Sequence, residues 1–245
     1  MDLRTANRDD RDGGRAGRTS QFPASSHTGP QHYMLGRAGE LKVAVACLPS
    51  GVTAITSSAI MANRMLSTFK SPRLCLMVGI GGGVPSGEHD IRLGDVVVSK
   101  PEGISGGVIQ YDFGKTVQEG RFVRTGLLNR PPDVLLSAVA SIQAKHMLGE
   151  ETPKHLIEMI ARHQKLRATC EYQGADKDQL FEACYDHPAG VPTCAACDIN
   201  RIISRSARGD DGPSVHYGLI ASGNQVMKGR CDAREAAERI ERALL

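Results

Sequence analysis

The chain has 245 residues, of which 40% are hydrophobic and 23% charged, and its net charge is only +3. A chain of this length buries one sizeable core, so one α/β domain is the natural expectation. The small net charge and the lack of a Lys/Arg block argue against nucleic acid or a membrane surface as partner. Aromatic residues are scarce at 4% without any Trp, and no apolar run approaches the roughly 20 residues of a membrane span.

The first 31 residues are rich in Arg, Asp, Gly and Ser and offer almost nothing apolar to bury. This composition predicts a disordered tail over residues 1–31 and one domain over residues 32–245. A basic nucleic-acid arm is the alternative, but its interleaved aspartates largely cancel the arginines. The tail has no apolar signal core, and seven cysteines is an odd number. Both features favour reduced thiols in the cytoplasm, with the nucleus left open.

Short apolar runs and helical periodicities alternate through the domain. The runs predict buried strands at 41–47, 74–78, 96–99, 107–111 and 215–222. Helical patterns cover 53–69, 131–147, a segment from 152 onward and 233–245. The inward positions of the first two helices are Ile55, Ala59, Ala62, Met65, Leu66 and Phe69, then Val134, Leu135, Ala138, Val139 and Ile142. Such alternation predicts a three-layer α/β fold with a mainly parallel or mixed central sheet between helices.

A glycine-rich segment follows the predicted strand at 74–78, with glycines at Gly79, Gly81, Gly82 and Gly83. Without Cβ atoms, this backbone could turn tightly and direct several N–H groups at an anion or a sugar hydroxyl. A crowded turn without a ligand is the alternative. The segment lacks the Lys-Ser/Thr ending of a P-loop, which disfavours a Walker-type ATP site.

Four motifs occur in a fixed order: VGIGGGVPS at 78–86, DIRLGDVVVS at 90–99, GGVIQYDFGK at 106–115 and GLIASGNQVMK at 218–228. In this order they resemble the phosphorylase/nucleosidase domain of fungal proteins in the nucleoside phosphorylase superfamily, over about residues 33–228. The resemblance implies a phosphorylase/hydrolase-like fold that cleaves the N-glycosidic bond of purine nucleosides. It also implies a homo-oligomer, no required cofactor, and phosphate as co-substrate in some members.

By this resemblance, Gly79, Gly81, Gly82 and Gly83 would cradle phosphate or the attacking water beside the ribose. Many members carry Ser or Thr directly after the first glycine, where this chain has Ile80. Members that use phosphate often carry Arg two residues before that glycine, where this chain has Met77. A buried phosphate dianion without a cationic partner is poorly compensated, so water is favoured as the nucleophile.

The resemblance also places the base and ribose pocket after the last predicted strand. The candidate residues are Ser222, Asn224, Gln225, Val226 and Met227. The alternative interpretation of this segment is a polar turn that leads into a helix.

The carboxylates that the family uses in catalysis would lie beyond Leu245, and an early phosphate-binding strand would precede Tyr33. By the resemblance, the chain is therefore an incomplete copy whose own activity is in doubt. Within the motifs, Asp112 lies on the expected substrate side, whereas Asp95 at a strand start is expected to have a structural role. A non-catalytic nucleoside-sensing or oligomerisation module of a fungal multidomain receptor-like protein is the alternative function, and a truncated gene product is a third.

A cysteine-rich insertion is predicted at about residues 170–211. Its Cys194-Ala-Ala-Cys197 pair has metal-ligand spacing, and Cys184 and His187 are near in sequence, so these four residues could supply the four ligands of zinc. Ordinary reduced thiols are the favoured alternative. A redox motif is disfavoured because the strand-then-helix context is missing.

Overall fold

The computed structural model describes residues 25–27, 32–52, 55–149, 162, 174, 177–191, 193–209 and 212–224. The chain divides into two units, Met1–Cys75 and Leu76–Leu245. Helices and strands both occur, and the strands pair in parallel as well as antiparallel fashion. The chain is therefore α/β in the broad sense, as its sequence predicts. No helix within the described ranges combines the length and apolarity that crossing a membrane requires.

The described residues of the first unit form an antiparallel three-stranded sheet and one α-helix. These elements are β1 (Ser25–His27), β2 (His32–Ala38), β3 (Leu41–Ala46) and α1 (Ile55–Thr68), with the sheet order β1-β2-β3. Tyr33 of β2 is only 1% exposed. Its ring lies edge-on to Phe69 at 5.1 Å between centroids, and its hydroxyl is 3.4 Å from Thr68 Oγ1. The ring thus ties the sheet to the end of α1.

The prediction for this unit needs three corrections, the first of which is that it gave no strand at His32–Ala38, where β2 lies. Ser25–His27, assigned to the disordered tail, pairs with β2 in register from Ser25 opposite Met34 to His27 opposite His32. In α1 the buried side chain is Met61, whereas Leu66, predicted to point inward, is 53% exposed. The buried face of α1 therefore differs from the predicted face by a shift of about one residue along the sequence.

In the described part of the second unit there are three two-stranded sheets and one α-helix. The elements are β4 (Val96–Ser99), β5 (Val108–Gln110), β6 (Gly114–Thr116), β7 (Phe122–Arg124), α2 (Asp133–Met147), β8 (Val215–Gly218) and β9 (Ile220–Ser222). β4 pairs with β8 and β5 with β9, both in parallel, and β6 forms an antiparallel hairpin with β7. The predicted parallel pairing is thus confirmed locally, although within separate small sheets.

The segment from β4 to β5 lies beside the segment from β8 to β9 along most of its length. The carbonyls of Ser214, Gly218 and Ser222 accept the N–H groups of Val96, Lys100 and Tyr111 at 2.9–3.0 Å. Between these contacts the chain makes an excursion that closes at Gly107, where φ is +104° and a Cβ would lie 3.1 Å from the Lys100 backbone. Only glycine fits such a close approach without strain.

The predicted strand at 74–78 is wrong. These residues have no regular structure, and Leu76, Met77 and Val78 are 74%, 88% and 90% exposed. A strand needs a hydrogen-bonded neighbour, and within the described ranges this run pairs with none. The predicted inward face of α2 is also only partly correct, since Val134 is 59% exposed while Leu135 and Val139 are half-buried. The predicted helices from 152 and at 233–245 lie outside the described residues.

Candidate functional site

Asp112 and Asn224, two residues from separate motifs, meet where β5 and β9 end. Asp112 Oδ2 accepts the backbone N–H of Asn224 at 2.5 Å, and Asp112 Oδ1 accepts the side-chain amide of Gln110 at 3.1 Å. The contact follows from the register of the sheet, because Gln110 lies opposite Ser222 and each strand ends there. The parallel pairing thus brings a half-buried carboxylate beside the polar turn after β9.

Tyr111 and Gly223 pack closely beside this junction. A Cβ added to Gly223 would overlap the Tyr111 ring, so any larger residue at this position requires the ring to shift. The Tyr111 N–H donates to the Ser222 carbonyl at 3.0 Å. Burial, followed by the negative charge of Asp112, raises the pKa of the Tyr111 hydroxyl, so this phenol stays protonated at neutral pH.

A cavity of about 170 Å³ lies against β5. Its walls are mostly apolar and come from two stretches of chain, which contribute Val108, Ile109 and Phe113, then Gly126, Leu127 and Leu128. Polar groups are supplied by Ser105, by Gln110, which also contacts Asp112, and by Arg124. Asp112 is thus linked through the Gln110 side chain to a cavity that combines apolar walls with a hydroxyl, an amide and a guanidinium.

The glycine loop, Gly79–Gly83, is open. A Cβ added to Gly79, Gly81 or Gly82 would have no neighbouring atom within 4 Å. A Cβ added to Gly83 would lie 2.6 Å from the Ile91 side chain. Ile80 is fully exposed. The loop continues into a turn in which Ser86 Oγ accepts the His89 N–H at 3.2 Å. Among the described residues, no hydrogen bond joins this loop to Asp112 or Asn224.

The other residues of the predicted pocket differ in how far they can be described. Ser222 ends β9 and is half-buried, and Asn224 is exposed. Gln225, Val226 and Met227 lie outside the described residues. The structure therefore joins Asn224 to Asp112 and shows no hydrogen bond from either residue to the glycine loop, while the predicted apolar wall lies outside the described residues.

Asp95 is the centre of a buried ion network, which confirms its expected structural role. Its side chain is 1% exposed and forms a bidentate pair with Arg208 at 2.8 and 2.6 Å. It also accepts the N–H groups of Arg92 at 2.8 Å and Ser214 at 2.9 Å, and lies 2.9 Å from His216 Nε2. Every acceptor direction of this carboxylate is used, so it has no capacity left for a substrate.

Further arginine–aspartate pairs extend the network. Asp90 accepts Arg92 Nη2 at 2.6 Å and Arg205 Nη1 at 3.3 Å. Arg205 Nη2 also reaches Asp178 at 2.9 Å. Residues 205–208 at the end of the predicted insertion are thereby clamped onto the DIRLGD segment before β4.

The pKa shifts in the network reflect these contacts. Burial alone would raise the pKa of Asp95, but the hydrogen bonds from Arg208, Ser214, Arg92 and His216 outweigh it and hold the pKa far below its ordinary value of 3.8. The pKa of Asp90 is likewise lowered, because the hydrogen bond and charge of Arg92 outweigh burial. The hydrogen bond to Asp95 raises the pKa of Arg208. Asp95 is therefore ionised at every physiological pH.

One of the four predicted metal ligands of the cysteine-rich insertion is wrong. Cys184 is disulfide-bonded and has no thiolate to offer, which corrects both its role as ligand and the expectation that all thiols are reduced. The other three candidates come together, because the ligand atoms of His187, Cys194 and Cys197 lie within 4.8 Å of one another. Neither Cys194 nor Cys197 takes part in a disulfide, as predicted.

Sequence reasoning missed the arginine clamps and the cavity. Arginines recur at Arg201, Arg205 and Arg208, and the segment DIRLGD carries two aspartates; this charge complementarity was the available signal. The cavity had no comparable signal, because its walls come from residues that are separated by the β6–β7 hairpin.

The chain is similar to a known protein along most of its length. A protein of Hyaloscypha variabilis named nucleotide-binding leucine-rich repeat (NLR)-like protein is 38% identical to it over 207 residues. The match covers 84% of the chain but 20% of the relative, so the chain spans about a fifth of that protein's length. No protein-family model matches the chain, and no solved structure matches it.

Proposed function

We propose that this chain is a nucleoside phosphorylase-like domain that binds a purine nucleoside beside Asp112 and cleaves its N-glycosidic bond with water. The proposal includes the three-layer fold of that superfamily, with β4, β5, β8 and β9 as parts of its central sheet. The observation that carries it is the meeting of Asp112 with Asn224, which belong to two of the four motifs that resemble those of that superfamily.

The Asp112 carboxylate suits the recognition of a sugar or a base. Each of its oxygens has two lone-pair directions, and each accepts one described hydrogen bond, from Gln110 or Asn224. A carboxylate that already accepts two hydrogen bonds in this way has lone pairs for two further donors. The hydroxyls of a ribose or the N–H of a purine are such donors, and bonds to a charged acceptor are stronger than those to a neutral one.

The neighbouring cavity suits a base. Its volume of about 170 Å³ is close to that of apolar cavities that accept one benzene-sized ring, which are roughly 150 Å³. The walls are mostly apolar, as ligand pockets generally are, with Ser105, Gln110 and Arg124 as the few polar groups that would set orientation. A flat heteroaromatic ring with polar edges matches this lining.

The preference for water over phosphate rests on the glycine loop. Its flanking residue Met77 is 88% exposed and uncharged, and Ile80 offers no hydroxyl. A phosphate dianion in this loop would lack a guanidinium, which is the group best suited to bind it.

The activity is tested with the purified chain and adenosine or inosine, by measuring free base with and without inorganic phosphate. We expect base release that phosphate does not accelerate, that Asp112→Asn abolishes and that Asp133→Asn leaves unchanged. Asp133 is the matched control, since its carboxylate is 89% exposed at the start of α2. Base release no faster than the uncatalysed reaction would refute cleavage.

A second candidate function is nucleoside sensing without cleavage, as one module of a larger receptor-like protein. The similarity to a fifth of an NLR-like protein favours it, because a short segment within a long protein fits a recognition module. The two candidates separate when binding and base release are measured on one preparation. Saturable adenosine binding without base release supports the sensor, and release at saturation supports the enzyme.

A further inference from the structure

The predicted insertion forms a loop whose two arms are fastened together. The Ile203 N–H donates to the Leu180 carbonyl at 2.7 Å, and the Glu182 N–H donates to the Arg201 carbonyl at 2.9 Å. Nearer the tip, the Asp198 N–H donates to the Tyr185 hydroxyl at 2.7 Å. These rungs place the segment around residue 187 opposite the segment 194–197.

Three metal-binding side chains meet at the tip of this loop. Cys194 begins a 3-10 turn that ends at Ala196, and the Cys197 N–H donates to the Cys194 carbonyl at 3.0 Å, so the two cysteines are held on one tight turn. His187 comes from the opposite arm, and the three ligand atoms lie within 4.8 Å of one another.

The surroundings of His187 match those of a metal ligand. Its Nδ1 lies 3.1 Å from the Pro188 carbonyl, so the tautomer protonated on Nδ1 donates there. This leaves the Nε2 lone pair for a metal. Histidine ligands commonly donate their other ring N–H to a carbonyl in this way, which fixes the tautomer and the ring orientation.

We propose that His187, Cys194 and Cys197 bind one Zn²⁺ ion. Two thiolates and an imidazole are ligands that zinc prefers, and each cysteine releases its proton to solvent on binding. Zinc–sulfur bonds of about 2.3 Å place tetrahedral sulfur ligands about 3.8 Å apart, so the described cluster needs a contraction of about 1 Å at most. The disulfide-bonded Cys184 is not a ligand, and water completes the tetrahedron.

The ion would hold the tip of a loop whose base carries functional contacts. Beyond Arg201, the same segment supplies Arg205 and Arg208, which clamp Asp90 and Asp95. Cys194 is exposed and Cys197 half-buried, so the ion reaches the site from solvent. This inference does not depend on the proposed nucleoside function.

The first test measures the zinc content of the full chain by mass spectrometry, after equilibration with zinc and removal of unbound metal. We expect about one zinc per chain, since the three ligands form one site. The content should fall about tenfold or more in Cys197→Ser and in His187→Ala, and stay unchanged in the matched control Cys47→Ser, whose cysteine is free and exposed. A wild type without zinc, or a Cys197→Ser chain that retains it, would overturn the proposal.

A second test needs no variant and so does not depend on how the variants fold. The wild type is alkylated with and without zinc, and each cysteine is quantified by peptide mass spectrometry. Zinc should slow alkylation of Cys194 and Cys197 by about tenfold, because a metal-bound thiolate is shielded, and should leave Cys47 and Cys75 unaffected. Equal rates at Cys194 and Cys197 with and without zinc would contradict the site.

Discussion

Replacing Asp95 with Asn removes one negative charge from the centre of the ion network while almost keeping the shape of the side chain. The carboxylate is 1% exposed and accepts hydrogen bonds from Arg92, Arg208, Ser214 and His216. An amide at this position must direct its NH₂ group at one of these donors and leaves the Arg208 guanidinium, 21% exposed, without its counter-charge. Breaking a buried pair from one side costs about 3–5 kcal/mol.

We expect a loss near the lower end, about 3 kcal/mol, because Arg208 keeps some contact with water. This is a large part of a typical free energy of unfolding of about 5–15 kcal/mol. With an m value of about 3 kcal/mol/M, the urea midpoint measured by circular dichroism should fall by about 1 M.

The matched control is Glu182→Gln, which removes the same charge from an ion pair that is half exposed, with 48% and 53% exposure at Glu182 and Arg201. Exposed pairs contribute at most about 1 kcal/mol, so its midpoint should hardly move. Equal midpoints for Asp95→Asn and Glu182→Gln would refute the view that the buried network fastens the arginine segment onto β4.

Three other predictions follow from the same contacts. The folded pKa of Asp95 lies below its ordinary value of 3.8, so the stabilisation by this carboxylate is complete above about pH 5 and is lost as the pH falls through the folded pKa. The difference in urea midpoint between wild type and Asp95→Asn should therefore narrow from pH 7 to pH 3. A difference that stays constant would contradict this. Gly223→Ala should lower the free energy of unfolding by about 1–3 kcal/mol, because the added Cβ overlaps the Tyr111 ring. Gly209→Ala is the control and should leave the free energy of unfolding unchanged, since no atom lies within 4 Å of its added Cβ. Equal urea midpoints for the two variants would show that the Tyr111 ring moves freely. Met77→Arg should make base release respond severalfold to phosphate by supplying the guanidinium that the loop lacks, and an unchanged response would contradict the stated reason for the preference for water.

The elements that the sequence predicted well are those whose pattern is local. The strands at 96–99 and 215–222 and the helices at 53–69 and 131–147 appear within a few residues of their predicted bounds. The strand at 74–78 failed because an apolar run shows only that burial would be favourable, and not that a neighbouring strand is there to pair with it. β1 was missed because its backbone pairs with β2 despite a polar sequence.

The candidate site likewise has features that the sequence predicts and features that it does not. Asp112 meets Asn224 because of the register between β5 and β9. The four-motif resemblance predicts only that the two segments form two sides of one pocket. The arginine clamps join residues more than 110 positions apart, and no local pattern specifies such a distant pairing. The cysteine spacing predicted the metal cluster in part, while the disulfide at Cys184 removed one of its four members.

The central claim is that a purine nucleoside binds against the Asp112 carboxylate. Isothermal titration calorimetry of the wild type and of Asp112→Asn with adenosine tests it most directly. Loss of hydrogen bonds to a charged acceptor costs about 1.5–3 kcal/mol, so the account predicts saturable binding whose Kd rises roughly 10- to 100-fold in the variant. Absence of binding by the wild type, or the same Kd in both proteins, would contradict it.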